Sequence, residues 1–156
     1  MRSILRREQG QSLVEFAIVL PFVTTILLGI VVFGIAFSNS LSLTNAANMG
    51  AQVLAISRGQ TLDPCNTTAQ AVYQAAPGLA QSSLNFTITI TPSGGTGTAI
   101  GGSTCSSSSY TTGAAATLVS GSMATLKVTY PCNLVVYGKN LAPGCTLSAQ
   151  TSEVIQ

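Results

Sequence analysis

Glu15 is a lone carboxylate five residues after Gly10, at the mouth of an apolar run that carries no charge of its own. An ionised glutamate entering hydrocarbon costs a few kcal/mol unless something pairs with it, which marks such a residue for function. A cut after Gly10 would make Gln11 the new N-terminus, and its ammonium would neutralise Glu15 on the same or a neighbouring chain. The plainer reading is a carboxylate at the water interface, which needs no partner. Residue types alone leave both open.

Four cysteines form the second chemical group: Cys65, Cys105, Cys132 and Cys145. Zinc sites want close pairs such as C-x2-C, or accompanying histidines. Here 39, 26 and 12 residues separate the cysteines and the chain has no histidine. Disulfides are the expectation. Four cysteines allow three connectivities. Cys132–Cys145, closing a loop between two strands, and Cys65–Cys105, tying a loop to the end of a long helix, are favoured. Each would contribute ~2–4 kcal/mol by restricting the unfolded chain.

Catalytic chemistry finds little to work with. No histidine can serve as base, and the acids beyond Glu15 are Asp63 and Glu153. Asp63 precedes Pro64, a turn context, and Glu153 lies near the tail, where solvation is expected. Lys127 or Lys139 could partner a serine nucleophile, but serine is too abundant here for that to mean anything. Gly94-Gly95-Thr96-Gly97 lacks the lysine and following helix of a phosphate loop. Asn66-Thr67-Thr68 and Asn85-Phe86-Thr87 match the glycosylation acceptor pattern, which matters only in a secretory context that uses it. The chain reads as non-enzymatic, with no cofactor and no metal site.

The element that must position Glu15 is the run after it. Phe16 to Phe37 is 22 residues without Asp, Glu, Lys or Arg. At 1.5 Å per residue that is roughly 33 Å of helix, enough for a ~30 Å hydrocarbon core. Lipid offers backbone groups no partner, so a single span must be helical. Arg2, Arg6 and Arg7 precede it against one acid, Glu8, and the next charge is Arg58. Positive residues stay inside, which puts the N-terminus in the cytoplasm and residues past about 38 outside. A removable signal peptide is the alternative. Its core is roughly 7–15 residues ending in a small-x-small site, whereas this run is longer and Ala36-Phe37-Ser38 is a poor site.

Residues 6 to 37, RREQGQSLVEFAIVLPFVTTILLGIVVFGIAF, resemble the TadE/TadG-like pseudopilins of tight-adherence (Tad, Flp) pilus systems. The resemblance is carried by the arginine-rich leader, Gly10, Glu15-Phe16, the apolar run broken by Pro21, and Phe33-Gly34. Asn45-Ala46-Ala47 and Gly50-Ala51 continue it to about residue 58. It implies a prepilin peptidase cutting between Gly10 and Gln11, with Glu15 the acid typical of pilin-like N-termini. It also implies the inner membrane, other pilin or pseudopilin subunits and the pilus assembly machinery as partners. Many family members carry Asp-Phe-Gly-Arg where this chain reads Val32-Phe33-Gly34-Ile35. The charged pair is absent here, and no role it has elsewhere carries over.

The rest of the chain fits a small head on an anchor, an α+β fold. Residues 1–10 read as a leader too short and polar to fold. Residues 11–58 read as one long helix, about 70 Å from Ser12, with its span at about 16–37. Pro21 should free the carbonyl of Ala17 and kink the helix locally. Past the span, Leu43, Ala46, Ala47, Gly50, Val53 and Leu54 recur on one helical face, built largely of small residues. Arg58-Gly59 reads as a cationic last turn and a glycine cap. The head, 59–156, begins with a loop over 60–67 and a helix from Thr68 to about Ala76. A strand with Leu84, Phe86, Ile88 and Ile90 on one face follows. Residues 92–113, rich in Ser, Gly and Thr, read as a flexible loop. Strands over Ala124–Tyr130 and Thr146–Ile155 complete an antiparallel sheet of about three strands, with Leu147 and Val154 the apolar points of the last.

Charged residues are 6% of the chain, against ~25% for an average soluble protein. Ser, Thr, Gly, Asn and Gln take their place, and a net charge of +2 implies no nucleic-acid partner. Such a surface suits a protein packed beside copies of itself. Two function classes remain. One is a pseudopilin or minor pilin of the inner membrane, processed after Gly10 and acting in assembly or initiation of a surface filament. The other is a permanently anchored, single-pass extracytoplasmic binding or adhesion module.

Overall fold

The computed structural model describes residues 5–94 and 118–156. Its spine is α1, Leu5–Ile56, 52 residues without a break, about 78 Å long. The helix begins five residues before the expected leader boundary. Arg, Glu and Gln are good helix formers, and nothing before Gly10 stops the helix from extending backwards off the apolar stretch. Pro21 lies inside it and donates no bond to Ala17. The Thr24 and Thr25 hydroxyls donate to the carbonyls of Leu20 and Pro21, at 2.8 and 2.7 Å, giving those groups a partner other than water.

The two halves of α1 live in different surroundings. Phe16, Ile18, Phe22, Ile26, Ile30, Phe33 and Phe37 are all exposed. From Leu43 onward one face is buried: Leu43, Ala46, Ala47, Ala51 and Leu54 are at most 1% exposed, with Gly50 buried among them. This is the face the 3.6-residue period predicted, except that Val53 is only half-buried. The end of α1 departs from expectation. It stops at Ile56 with no basic residue in its last turn. Ser57 caps it instead, its N–H and Oγ both donating to the Leu54 carbonyl. Gly59, at φ +72, turns the chain a few residues later.

The expected loop over 60–67 is shorter than predicted. Asp63-Pro64 does not form a free turn; it starts α2, Pro64–Ala75. Asp63 Oδ1 accepts from the Asn66 N–H at 3.0 Å, and Pro64 occupies the first turn, where its missing N–H has no consequence. Cys65, Thr68, Ala69, Val72 and Tyr73 are the buried stripe of α2.

β1 (Asn85–Thr91), β2 (Met123–Pro131) and β5 (Thr146–Val154) form an antiparallel sheet in the order β1-β2-β5. Phe86 faces Val128, Ile88 faces Leu126 and Ile90 faces Ala124, and these six side chains bury against α1 and α2. Tyr73 meets the Phe86 ring edge-on at 6.3 Å. On β5, Leu147 packs toward the core as predicted, but Val154 is exposed. They are seven positions apart, and an odd spacing puts two strand residues on opposite faces. Ile155, 1% exposed, fills the core position one residue later. The outer sheet face carries Thr, Ser and Gln, with Thr125 and Ser152 hydrogen-bonded across it at 2.8 Å.

Between β2 and β5 is a small ribbon that period counting missed: β3 (Val135–Val136) pairs with β4 (Lys139–Asn140). Most of the predicted loop 92–113 lies outside the described residues, as do residues 1–4 and Cys105.

Candidate functional site

Gly10 and Gln11 are inside α1, with helix on both sides of the bond between them. Glu15 follows one turn on and is exposed. Among the described residues it has no hydrogen-bond or ion-pair partner. Around it Leu13, Val14 and Phe16 are exposed too, Phe16 by 64%. The first buried residue of α1, Leu43, is 28 residues on, about 42 Å away along the helix. Among the described residues, the packed part of the head does not reach Glu15.

Cys132 and Cys145 are bonded, their Cα atoms 5.3 Å apart. The Cys132 N–H also donates to the Cys145 carbonyl, so the chain enters and leaves the ribbon at one point. Cys65 is disulfide-bonded and buried at the start of α2. The Cys105 half of the expected Cys65–Cys105 pairing lies outside the described residues. The cysteines thus brace the head, and they are remote from Glu15.

The acids of the head have structural surroundings. Asp63 caps α2, and Glu153 is half-buried on β5 opposite Ala124 rather than fully solvated, because it alternates with the solvent-facing Ser152 and Val154. No group of three or more His, Cys, Asp or Glu gathers among the described residues. A groove of about 410 Å³ between α1 and α2 is lined by Val53, Asn66, Thr67, Gln70, Ala71 and Gln74. Its amides can donate and accept, but it holds no nucleophile–base pair and no charge. Sequence reasoning missed two features that matter for surfaces. One is the Asp63 cap, legible as an Asp-Pro helix start. The other is the Tyr137-Gly138 turn of the ribbon, signalled by a Gly between two short apolar stretches.

What distinguishes α1 is its division: an exposed apolar half long enough to cross a membrane, and a small-residue half that carries the head. Residues 10–52 match the family model of TadE-like proteins. Over most of α1 the chain is similar to TadE-like proteins. The match begins at Gly10 and ends four residues before α1 does, so the TadE-like signature takes in the acid, the apolar half and most of the buried face. The head beyond residue 52 lies outside the match. No characterised protein matches the chain, and no solved structure does.

Proposed function

We propose that this protein is a pseudopilin or minor pilin of a tight-adherence pilus, held in the inner membrane by α1 with its N-terminus in the cytoplasm. A prepilin peptidase cuts between Gly10 and Gln11, and the trimmed subunit joins or primes a filament through α1. The observation that carries this reading is the TadE-like match starting at Gly10, on a helix whose apolar first half is exposed and unpacked among the described residues. Because the Gly10–Gln11 bond is helical, the peptidase must open the helix locally to reach it. Gly10 eases that opening, glycine being about 1 kcal/mol poorer than alanine in a helix.

In the assembled state Glu15 pairs with the Gln11 ammonium of a neighbouring subunit. Two opposite charges 4 Å apart in a weakly screened site attract by about 4 kcal/mol, comparable with the cost of taking one carboxylate into lipid. The test is Glu15→Ala, with Glu15→Gln beside it. Both variants should be processed and inserted normally yet yield few or no filaments. Normal filament numbers from either variant would remove the pairing from the account.

A further inference from the structure

The ribbon between β2 and β5 has a fixed place along α1. The Gln156 N–H donates to the Ala55 carbonyl at 3.2 Å, and Thr151 Oγ1 donates to Asn48 Oδ1 at 2.6 Å. β5 thus runs in the same direction as α1, and tracing it backwards leads toward the apolar half of the helix. Thr151 to Thr146 is about 17 Å of strand, which on α1 reaches from Asn48 to about the region 37–41. The Cys132–Cys145 staple sits at that end of the sheet, next to Thr146 and its partner Pro131. Beyond the staple, β3 touches α1. The ribbon therefore lies beside the head-side end of the apolar run, whose last large apolar residue before the polar Ser38-Asn39-Ser40 is Phe37.

Three large apolar or aromatic side chains and a lysine are exposed together on it. Val135, Tyr137 and Leu141 are exposed by 49, 73 and 67%, and Lys139 is exposed among them. No acidic residue occurs between Asp63 and Glu153. Tyr137 and Gly138 form a two-residue turn with φ +50 and +75. Both positions favour Asn-Gly, and a bulky residue in the left-handed region strains the backbone. Asparagine would relieve that strain; a tyrosine stands there instead, with its side chain 73% exposed.

A tyrosine between aliphatic neighbours, with a lysine and no acid, suits the headgroup zone of a bilayer. The ring and the lysine stem bury against acyl carbons while hydroxyl and ammonium stay wet. The ammonium is also drawn to anionic lipid. We infer that the ribbon tip, formed by Val135, Tyr137, Lys139 and Leu141, seats in the lipid headgroups around α1 and fixes the height and rotation of the head over the membrane. This rests on α1 being embedded in that bilayer.

The chain has no tryptophan, so one introduced residue reports alone. The full chain carrying Tyr137→Trp is reconstituted in phosphatidylcholine–phosphatidylglycerol vesicles whose lipids are brominated either near the headgroup or near the chain ends. Leu141→Trp serves as a second probe free of the strained turn, and Phe22→Trp as a control within the span. Both ribbon probes should emit at shorter wavelength and lose emission with shallow bromines, while Phe22→Trp is quenched by the deep ones. Tyr137→Asn in the Leu141→Trp background should keep or raise thermal stability yet reduce shallow quenching. Ribbon probes that stay unquenched while Phe22→Trp is quenched overturn the inference and leave the membrane reading intact. A blue-shifted ribbon probe indifferent to bromine means that a second copy of the chain covers the tip, which also overturns it. If Phe22→Trp is unquenched as well, the membrane reading falls too.

Discussion

Gly50 of α1 lies against Val72 of α2 with no room for a methyl group between them. A Cβ at Gly50 would stand 2.6 Å from Val72 Cγ2 and 2.7 Å from Leu126 Cδ2 of β2. This one position sets how closely α1, α2 and the sheet approach. Leu126 can swing its terminal methyl aside, but Val72 is β-branched on a helix and has essentially one rotamer. Gly50→Ala gains up to about 1 kcal/mol of helix propensity and loses about 1–3 kcal/mol to overpacking. The expected result is a net destabilisation of about 1 kcal/mol, and a larger loss for Gly50→Leu. Thermal unfolding of the purified protein in detergent, followed by circular dichroism, measures it. A more stable Gly50→Ala would mean the three elements are further apart than described.

Thr68 of α2, beside Gly50 of α1, is fully buried and its hydroxyl has no hydrogen-bond partner among the described residues. A buried hydroxyl without a partner costs about 1–3 kcal/mol relative to an apolar group of the same shape. Thr68→Val keeps the shape and removes the hydroxyl. It should stabilise the head by about 1 kcal/mol, raising the melting temperature by about 2–4 °C. A lower melting temperature would reveal a partner for Thr68 Oγ1.

The Cys132–Cys145 bond spans 13 residues, and a loop of that size is worth about 3 kcal/mol in the chain-entropy account. Replacing both cysteines by alanine should lower stability by that order. The neighbouring β2–β5 ladder should open first, at its Pro131–Thr146 end. Hydrogen exchange of the backbone amides at positions 130 and 132, compared with that of Ala124 at the far end, reads this directly. Equal exchange at both ends of the ladder in the double variant would show that the staple does not hold that end.

Much of this architecture was legible before the fold was seen, and the reasons are local. Leu43, Ala46, Ala47, Gly50 and Leu54 repeat at helical spacing because one face of α1 has to pack. Leu84, Phe86, Ile88 and Ile90 alternate because β1 has one wet side. The failures come where a pattern is too short or has two meanings. Asp63-Pro64 is equally good chemistry for a turn and for a helix cap, and the buried stripe that follows decided for the helix. β3 and β4 are two residues each, too short to display a period. On β5 small and polar residues leave only Leu147, Val154 and Ile155 as apolar marks, and one residue of register separates a core position from an exposed one.

The Gly10–Glu15 interval was equally legible, but it belongs to a different kind of problem. Among the described residues Glu15 has no hydrogen-bond or ion-pair partner, and the buried face of α1 begins only at Leu43. Packing patterns report only on contacts within the chain, and the proposed partner of Glu15 is another subunit.

The N-terminus of the protein isolated from its native membrane, read by intact mass and terminal-peptide sequencing, bears most directly on the central claim. The account predicts a chain that begins at Gln11, and one that begins at Met1 when the prepilin peptidase is removed. A native chain that still begins at Met1 would contradict it and leave a permanently anchored binding module in its place.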